Sequence, residues 1–218
     1  MPARRPETRG ALSREQAGAA LGVSRETLDR LETYLALLKR WQRAINLVGA
    51  STLADPWRRH ILDSGQLWRF WPPGARVLAD LGSGAGLPGL VLAIMGAPVA
   101  HLIESDRRKA SFLREAARAC GAVVTVHATR IEDVPPLAAD VITARALAPL
   151  PELLALAEPH LQPRTTCLFL KGRQAETELT LARESWTMSA EREPSLSDPD
   201  SQALIISEVR RRVATQPD

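Results

Sequence analysis

Apolar residues recur at helical spacing over the first seventy positions, then in short strand-like runs to the end of the chain. The clearest helical stretch is SRETLDRLETYLALLKRWQRAINLVG, residues 24–49. Leu28, Leu31, Tyr34, Leu35, Leu38, Trp41, Ala44 and Ile45 fall on one stripe there, with Ser24 at the cap position, so the spacing predicts an amphipathic helix. Before it, SREQAGAALG at 13–22 sets Ser13 three residues ahead of Gln16 and closes on Gly22, the pattern of a capping-box helix with a glycine stop. Residues 51–71 predict one or two further helices, with Pro56 setting a start, and Pro-Pro-Gly at 72–74 breaks the pattern. Residues 1–10 carry no periodic signal and are expected to be disordered.

From residue 76 the rhythm changes. RVLADLG, PVAHLIE, AVVTVHA, ADVITARAL and TTCLFLKG are short apolar runs, and helical stretches such as SDRRKASFLREAARACG and PELLALAEPHL lie between them. This alternation predicts a mostly parallel sheet flanked by helices. The last two runs, SWTMSAERE and QALIISEVRRR, have no helix between them and predict an antiparallel pair at one sheet edge. Residues 191–201, EREPSLSDPDS, are expected to form an exposed loop. The fold class is therefore α/β, Rossmann-like, with a seven-stranded sheet over 72–218 and an α-helical N-terminal extension over 1–71.

Composition mostly excludes. The 218 residues are 45% hydrophobic, enough for a core, and no apolar run is long enough to cross a membrane. The arginines of MPARRPETRG are not followed by an apolar stretch, so a signal peptide is not expected and a cytoplasmic protein is. Cys120 and Cys167 form no CxxC or His cluster; they are expected to be core residues in a reducing compartment, with no metal. Charge is uneven: residues 1–70 hold 12 Lys and Arg against 7 Asp and Glu, and the rest hold 16 against 18. A basic first third fits a polyanionic partner such as nucleic acid, and equally a solvated helix surface.

Candidate chemistry concentrates in LADLGSGAGLPGLVLAI, residues 78–94. A strand ends at Asp80, and Gly82, Gly84 and Gly86 follow at alternate positions before a helix begins. A glycine turn at a strand's carboxyl end is where open parallel sheets bind ligands. The spacing is not G-x-G-x-x-G, and an acid precedes it, which suits a cationic ligand better than a pyrophosphate. S-adenosylmethionine carries an ammonium and a sulfonium, and alternate glycines let it lie against backbone. Glu104, at the end of the second strand, is placed to accept hydrogen bonds from both ribose hydroxyls. After the third strand, Ile131 and Glu132 fall where an adenine would lie.

The segments NLVGAS (46–51), RHILDS (59–64), DLGSGAGLPGLVLAI (80–94), DRRKASFLREAAR (106–118), TARALAPL (143–150) and FLKGR (169–173) resemble the bacterial 16S ribosomal RNA guanine-N7 methyltransferase family, also called glucose-inhibited division protein B. The resemblance covers roughly residues 30–210, in order. It implies a class I methyltransferase fold, S-adenosylmethionine as cofactor, and methylation of one guanine in the decoding region of small-subunit rRNA. It also implies cofactor contacts from Gly82, Leu87, Ile131, Glu132 and Arg145; Ile131 departs from the small residue frequent in the family.

Guanine N7 has a free lone pair and no proton, so its methylation requires alignment and no general base. The chain lacks an Asn/Asp-Pro-Pro-aromatic motif after the fourth strand, and neither cysteine sits where a nucleophile would. Candidates for positioning the base or a phosphate are Arg145, Lys171, Arg173, His60 and Asp63, the last two one turn apart and able to pair. Arg40, Arg43, Arg58 and Arg59 are candidates for an RNA-facing surface, and Asn46 for a helix C-cap. The expected partner is 16S rRNA, the small subunit or an assembly intermediate, with the enzyme a monomer. Two rival readings are a small-molecule methyltransferase and a catalytically silent RNA-binding module.

Overall fold

The computed structural model describes residues 10–212. The N-terminal stretch expected to be disordered therefore lies, but for Gly10, outside the described residues. Helix α1 (Arg14–Leu21) has the capping box its sequence predicts: the Ser13 hydroxyl accepts from the Gln16 N–H, and the Gln16 side chain accepts from the Ser13 N–H. Helix α2 (Arg25–Gln42) starts on Ser24 but stops seven residues before the predicted end. Gln42 is the reason. Its Oε1 accepts from the N–H groups of Leu47 and Val48, and its Nε2 donates to the Val48 carbonyl and Asn46 Oδ1. One side chain thus pins the turn 43–48, and Asn46 is an exposed part of that turn, not the helix cap.

Residues 50–70 wind into four short pieces: 3-10 turns Ala50–Ala54 and Gln66–Phe70, a π-helix Trp57–Leu62, and a single α-turn, α3 (Asp63–Gly65). Then come β1 (Val77–Leu81), α4 (Gly89–Met95), β2 (Val99–Ile103), α5 (Arg107–Ala119), β3 (Val124–His127), β4 (Val141–Arg145), α6 (Leu150–Ala157), β5 (Thr166–Lys171), α7 (Ala175–Ser185), β6 (Trp186–Pro194) and β7 (Gln202–Arg211). They form one seven-stranded sheet in the order β3-β2-β1-β4-β5-β7-β6. The first five strands are parallel; β7 runs antiparallel to both β5 and β6. The strand order reverses between β1 and β4, the position at which such sheets open a crevice at their carboxyl ends.

The N-terminal helices are built into the core. Leu31, Tyr34, Leu35 and Leu38 of α2 share one buried cluster with Leu90, Val91 and Ile94 of α4 and Phe112, Leu113 and Ala116 of α5. Arg30 reaches from α2 to the carbonyls of Cys120 and Gly121, closing the C-terminal end of α5. The segment expected to be an exposed loop is a correction. Residues 191–194 continue β6, and Ser197 is 5% exposed. The fully buried Gln66 side chain donates to Ser195 Oγ and accepts from the Leu196 N–H, tying the loop to the helical segment 57–70.

Candidate functional site

Two cavities open side by side at the carboxyl end of the sheet. The first, about 540 Å³, lies against the glycine turn; the second, about 580 Å³, lies between the π-helix and the ends of β4 and β5. Both sizes suit a bound small molecule or a single base. Leu47, Arg145, Ala146, Leu147 and Ala148 line both, so they form the boundary between two chambers.

In the first chamber the turn after β1 takes left-handed backbone at Gly82, Gly84 and Gly86, with φ of 63°, 56° and 81°. An added Cβ at Gly84 would meet only the Gly82 carbonyl, 3.8 Å away, so the turn presents bare backbone. The Glu104 carboxylate fixes that backbone: one oxygen accepts from the Gly84 N–H at 2.8 Å and the other from the Asp106 N–H at 2.8 Å. From the far side of the core, the Tyr34 hydroxyl donates to the Ala85 carbonyl at 2.7 Å, and burial pushes that phenol's pKa up. Gly82, Gly84, Leu87, Glu104, Ile131, Glu132 and Arg145 all line this chamber. Asp80 does not. It lies fully buried beneath the turn, where Thr143 donates to Oδ1 at 2.7 Å and Oδ2 stands 2.6 Å from the position of a Cβ on Gly89. Burial pushes its pKa up to about 6. Asp80 sits under the start of the following helix, with no hydrogen-bond partner for Oδ2, and is not among the residues that line the chamber.

The second chamber gathers His60, Asp63, Arg145 and Lys171; Arg173 stays outside, paired to Asp200. His60 and Asp63 do not pair, because the segment is a π-helix and each turns to a different neighbour. His60 Nε2 meets Thr52 Oγ1 at 3.1 Å, and burial lowers its pKa to about 4, so it is neutral at pH 7. Asp63 accepts from Arg145 at 2.9 Å and from Ser197 at 2.5 Å. Lys171 is 9% exposed at its side chain, pairs with Glu178 at 2.7 Å and donates to the Ala148 carbonyl, bracing the loop between the chambers. Cys120 and Cys167 are buried thiols with pKa values pushed up to about 11 and about 12, unsuited to nucleophilic attack. Of the surface arginines, Arg43 is exposed, Arg40 pairs with Glu115, and Arg58 is held by Asp55 and the Gly10 carbonyl.

Sequence patterns missed several lining residues. Ser83, Lys109, Thr129, Arg130 and Leu147 border the first chamber, and Thr52, Glu178 and Asp198 the second. Arg130 and Leu147 adjoin residues already singled out, so proximity to a strand end was the available signal. Glu178 lies a turn into α7 and Asp198 in a loop, where no local pattern marks them.

The fold is Rossmann-like, with a glycine-lined crevice at the carboxyl end of its sheet. A methyltransferase from Aquifex aeolicus described as SAM-dependent has the same fold, with 15% identity, a TM-score of 0.55, and coverage of 72% of this chain and 94% of that one. So does TYW2 from M. jannaschii, solved in complex with AdoMet, at 15% identity, a TM-score of 0.53, and coverage of 70% and 77%. The model of the family GidB, rRNA small subunit methyltransferase G, matches residues 27–204, and the chain belongs to this family. Proteins named ribosomal RNA small subunit methyltransferase G from Rhodospirillum centenum and Paramagnetospirillum magneticum are each 60% identical to it. The matches cover 89% and 87% of this chain and 90% and 93% of those proteins.

Proposed function

We propose that this chain methylates N7 of one guanine in the decoding region of small-subunit rRNA, using S-adenosylmethionine. The observation that carries the reading is the pair of chambers meeting at Arg145–Ala148, one walled by bare glycine backbone and an anchored carboxylate, the other holding a weakly basic His60 and paired carboxylates. The first chamber fits the cofactor. Its volume is adequate, Glu104 keeps lone pairs for ribose hydroxyls while its two backbone bonds hold it still, and Ile131 and Leu156 offer an apolar wall for adenine. When bound there, S-adenosylmethionine supplies an electrophilic methyl on its sulfonium. Gly82, Gly84, Leu87, Glu104, Ile131, Glu132 and Arg145 are the residues assigned to hold it, with Asp80 acting through the turn.

The second chamber receives the base. His60 is neutral and depressed in basicity, Asp63 is taken by Arg145 and Ser197, and Lys171 by Glu178. His60 Nδ1 has no hydrogen-bond partner, but burial leaves that imidazole a poor proton acceptor, and N7 has no proton to remove. What these residues do is hold shape: Asp63 positions Arg145 at the boundary, and Lys171 braces the loop 146–149. Alignment of nucleophile, methyl and sulfur is then the main source of rate. Among the described residues no helix is long and apolar enough to cross a membrane, and a ribosomal substrate sets the work in the cytoplasm.

The test is methyl transfer from labelled S-adenosylmethionine to small ribosomal subunits from a strain lacking this activity, followed by nucleoside mass analysis. Label in 7-methylguanosine at one site is the expected result. Cofactor binding without label in any rRNA, naked or assembled, would favour a small-molecule acceptor.

A further inference from the structure

The mouth of the second chamber carries two guanidinium groups that are already occupied by carboxylates of the β6–β7 loop. Arg59, on the π-helix, pairs with Asp198 at 2.6 Å. Arg173, just after β5, pairs with Asp200 at 2.5 Å. Arg59 and Asp198 line the chamber, as does Gly172 beside Arg173. Other surface pairs, such as Arg40 with Glu115, Arg192 with Glu176 and Arg211 with Glu158, border neither chamber.

The loop has a fixed root and a loose tip. At the root, Gln66 holds Ser195 and Leu196, Asp63 holds Ser197, and the Ser195 N–H donates to the Ser201 carbonyl at 3.0 Å. The tip has the two ion pairs and a local turn in which the Asp198 carboxylate accepts from the Asp200 N–H and the Asp198 carbonyl from the Ser201 N–H at 3.1 Å. Asp200 and Arg173 are more than half exposed at their side chains, Arg59 is 42% exposed and Asp198 23% exposed. Exposed ion pairs of this kind contribute little, whereas a phosphate backbone binds guanidinium groups with release of its condensed counterions. An RNA strand can therefore displace the tip while the root stays in place.

We propose that the loop tip is an intramolecular stand-in for the RNA backbone: Asp198 and Asp200 hold Arg59 and Arg173 until phosphates of the substrate strand replace them. The inference rests on rRNA being the substrate. It assigns to these two arginines the strand on either side of the target base, and to the acidic tip the role of rejecting ligands that lack paired phosphates.

The experiment is equilibrium binding of deproteinised 16S rRNA to the full chain over a range of salt. Asp198→Asn with Asp200→Asn keeps the side-chain shape and the local turn while removing both charges. It should tighten rRNA binding by about 2- to 10-fold at low salt, the gain from freeing two exposed pairs, and less at high salt. Arg59→Gln with Arg173→Gln should weaken binding and lower the salt slope by about 1 to 2. In that background the two asparagines should add nothing, because the carboxylates act through the arginines. Unchanged or weaker binding by the asparagine variant, with the unchanged chain binding normally, overturns the stand-in alone. No binding and no methyl transfer to rRNA by the unchanged chain overturns the substrate reading, and the stand-in with it.

Discussion

Gly82 is where a single side chain does the most damage at least cost to the fold. Its φ of 63° is a conformation that aspartate tolerates at a cost of about 1 kcal/mol, and the atom a new Cβ would meet is the tip of Leu147, a half-exposed side chain free to move. Gly82→Asp should thus fold, put a carboxylate against the first chamber, and lose the rise in melting temperature that S-adenosylmethionine gives the unchanged chain. A normal rise would misplace the chamber. The glycines and Glu104 were legible because strand ends and permissive backbone leave a local imprint. Asp80 was legible as a residue but not in its role, since whether an acid faces a cavity or lies under a turn depends on the packing of α4 against β1. Its burial also makes a pH prediction. The carboxyl is raised from 3.8 to about 6, so the folded state prefers it protonated. The contribution to stability is whole below about pH 3.8 and is lost as pH rises through about 6, a loss of roughly 3 kcal/mol. Asp80→Asn should unfold at a higher temperature than the unchanged chain at pH 8, with the difference vanishing near pH 4. A variant less stable at pH 8 would mean that the ionised carboxylate is held by stronger bonds than Thr143 supplies.

Among the elements, all seven strands and the helices that alternate with them were readable, because apolar period and breaking residues are local. The stop of α2 was not. The stripe continues through Ala44 and Ile45, and only the four hydrogen bonds of Gln42 turn the chain away. The π-helix was equally hidden: the helical pattern of RHILDS does not distinguish i→i+4 from i→i+5 bonding, and the choice separates His60 from Asp63. Helix α2 also has a task its pattern does not announce. Through Tyr34 it satisfies the Ala85 carbonyl inside the glycine turn. Tyr34→Phe leaves that buried carbonyl bare, at a cost of about 1–3 kcal/mol. The melting temperature should fall, and amide exchange at Ala85, Gly86 and Leu87 should speed up more than in the central strands. Equal acceleration in the turn and the strands, or no change at the turn, would show that α2 supports the core without steadying the turn.

For the whole molecule, the change of rhythm near residue 72 marks a change of architecture, yet the core ignores it. Composition and periodicity divide the chain into a helical extension and a sheet domain. The packing cannot be read that way, because the partners of Leu31, Tyr34, Leu35 and Leu38 lie on α4 and α5, fifty to eighty residues away. Each of those four side chains is at most 5% exposed. Fully burying a large apolar side chain is worth about 1.5–3 kcal/mol, so the four together supply roughly 6–12 kcal/mol. That is comparable to the entire stability of an ordinary domain, about 5–15 kcal/mol. A fragment spanning 72–218 also loses the Tyr34 bond and the Leu47 wall shared by both chambers. It should therefore lack a cooperative thermal transition and should not bind S-adenosylmethionine, even though it keeps every strand and every glycine of the turn. Adding a separate peptide of residues 10–71 should restore both, since the missing surface is covered without a covalent link. A soluble fragment that melts cooperatively and binds the cofactor alone would show that the sheet carries its own core and that the extension serves the RNA only.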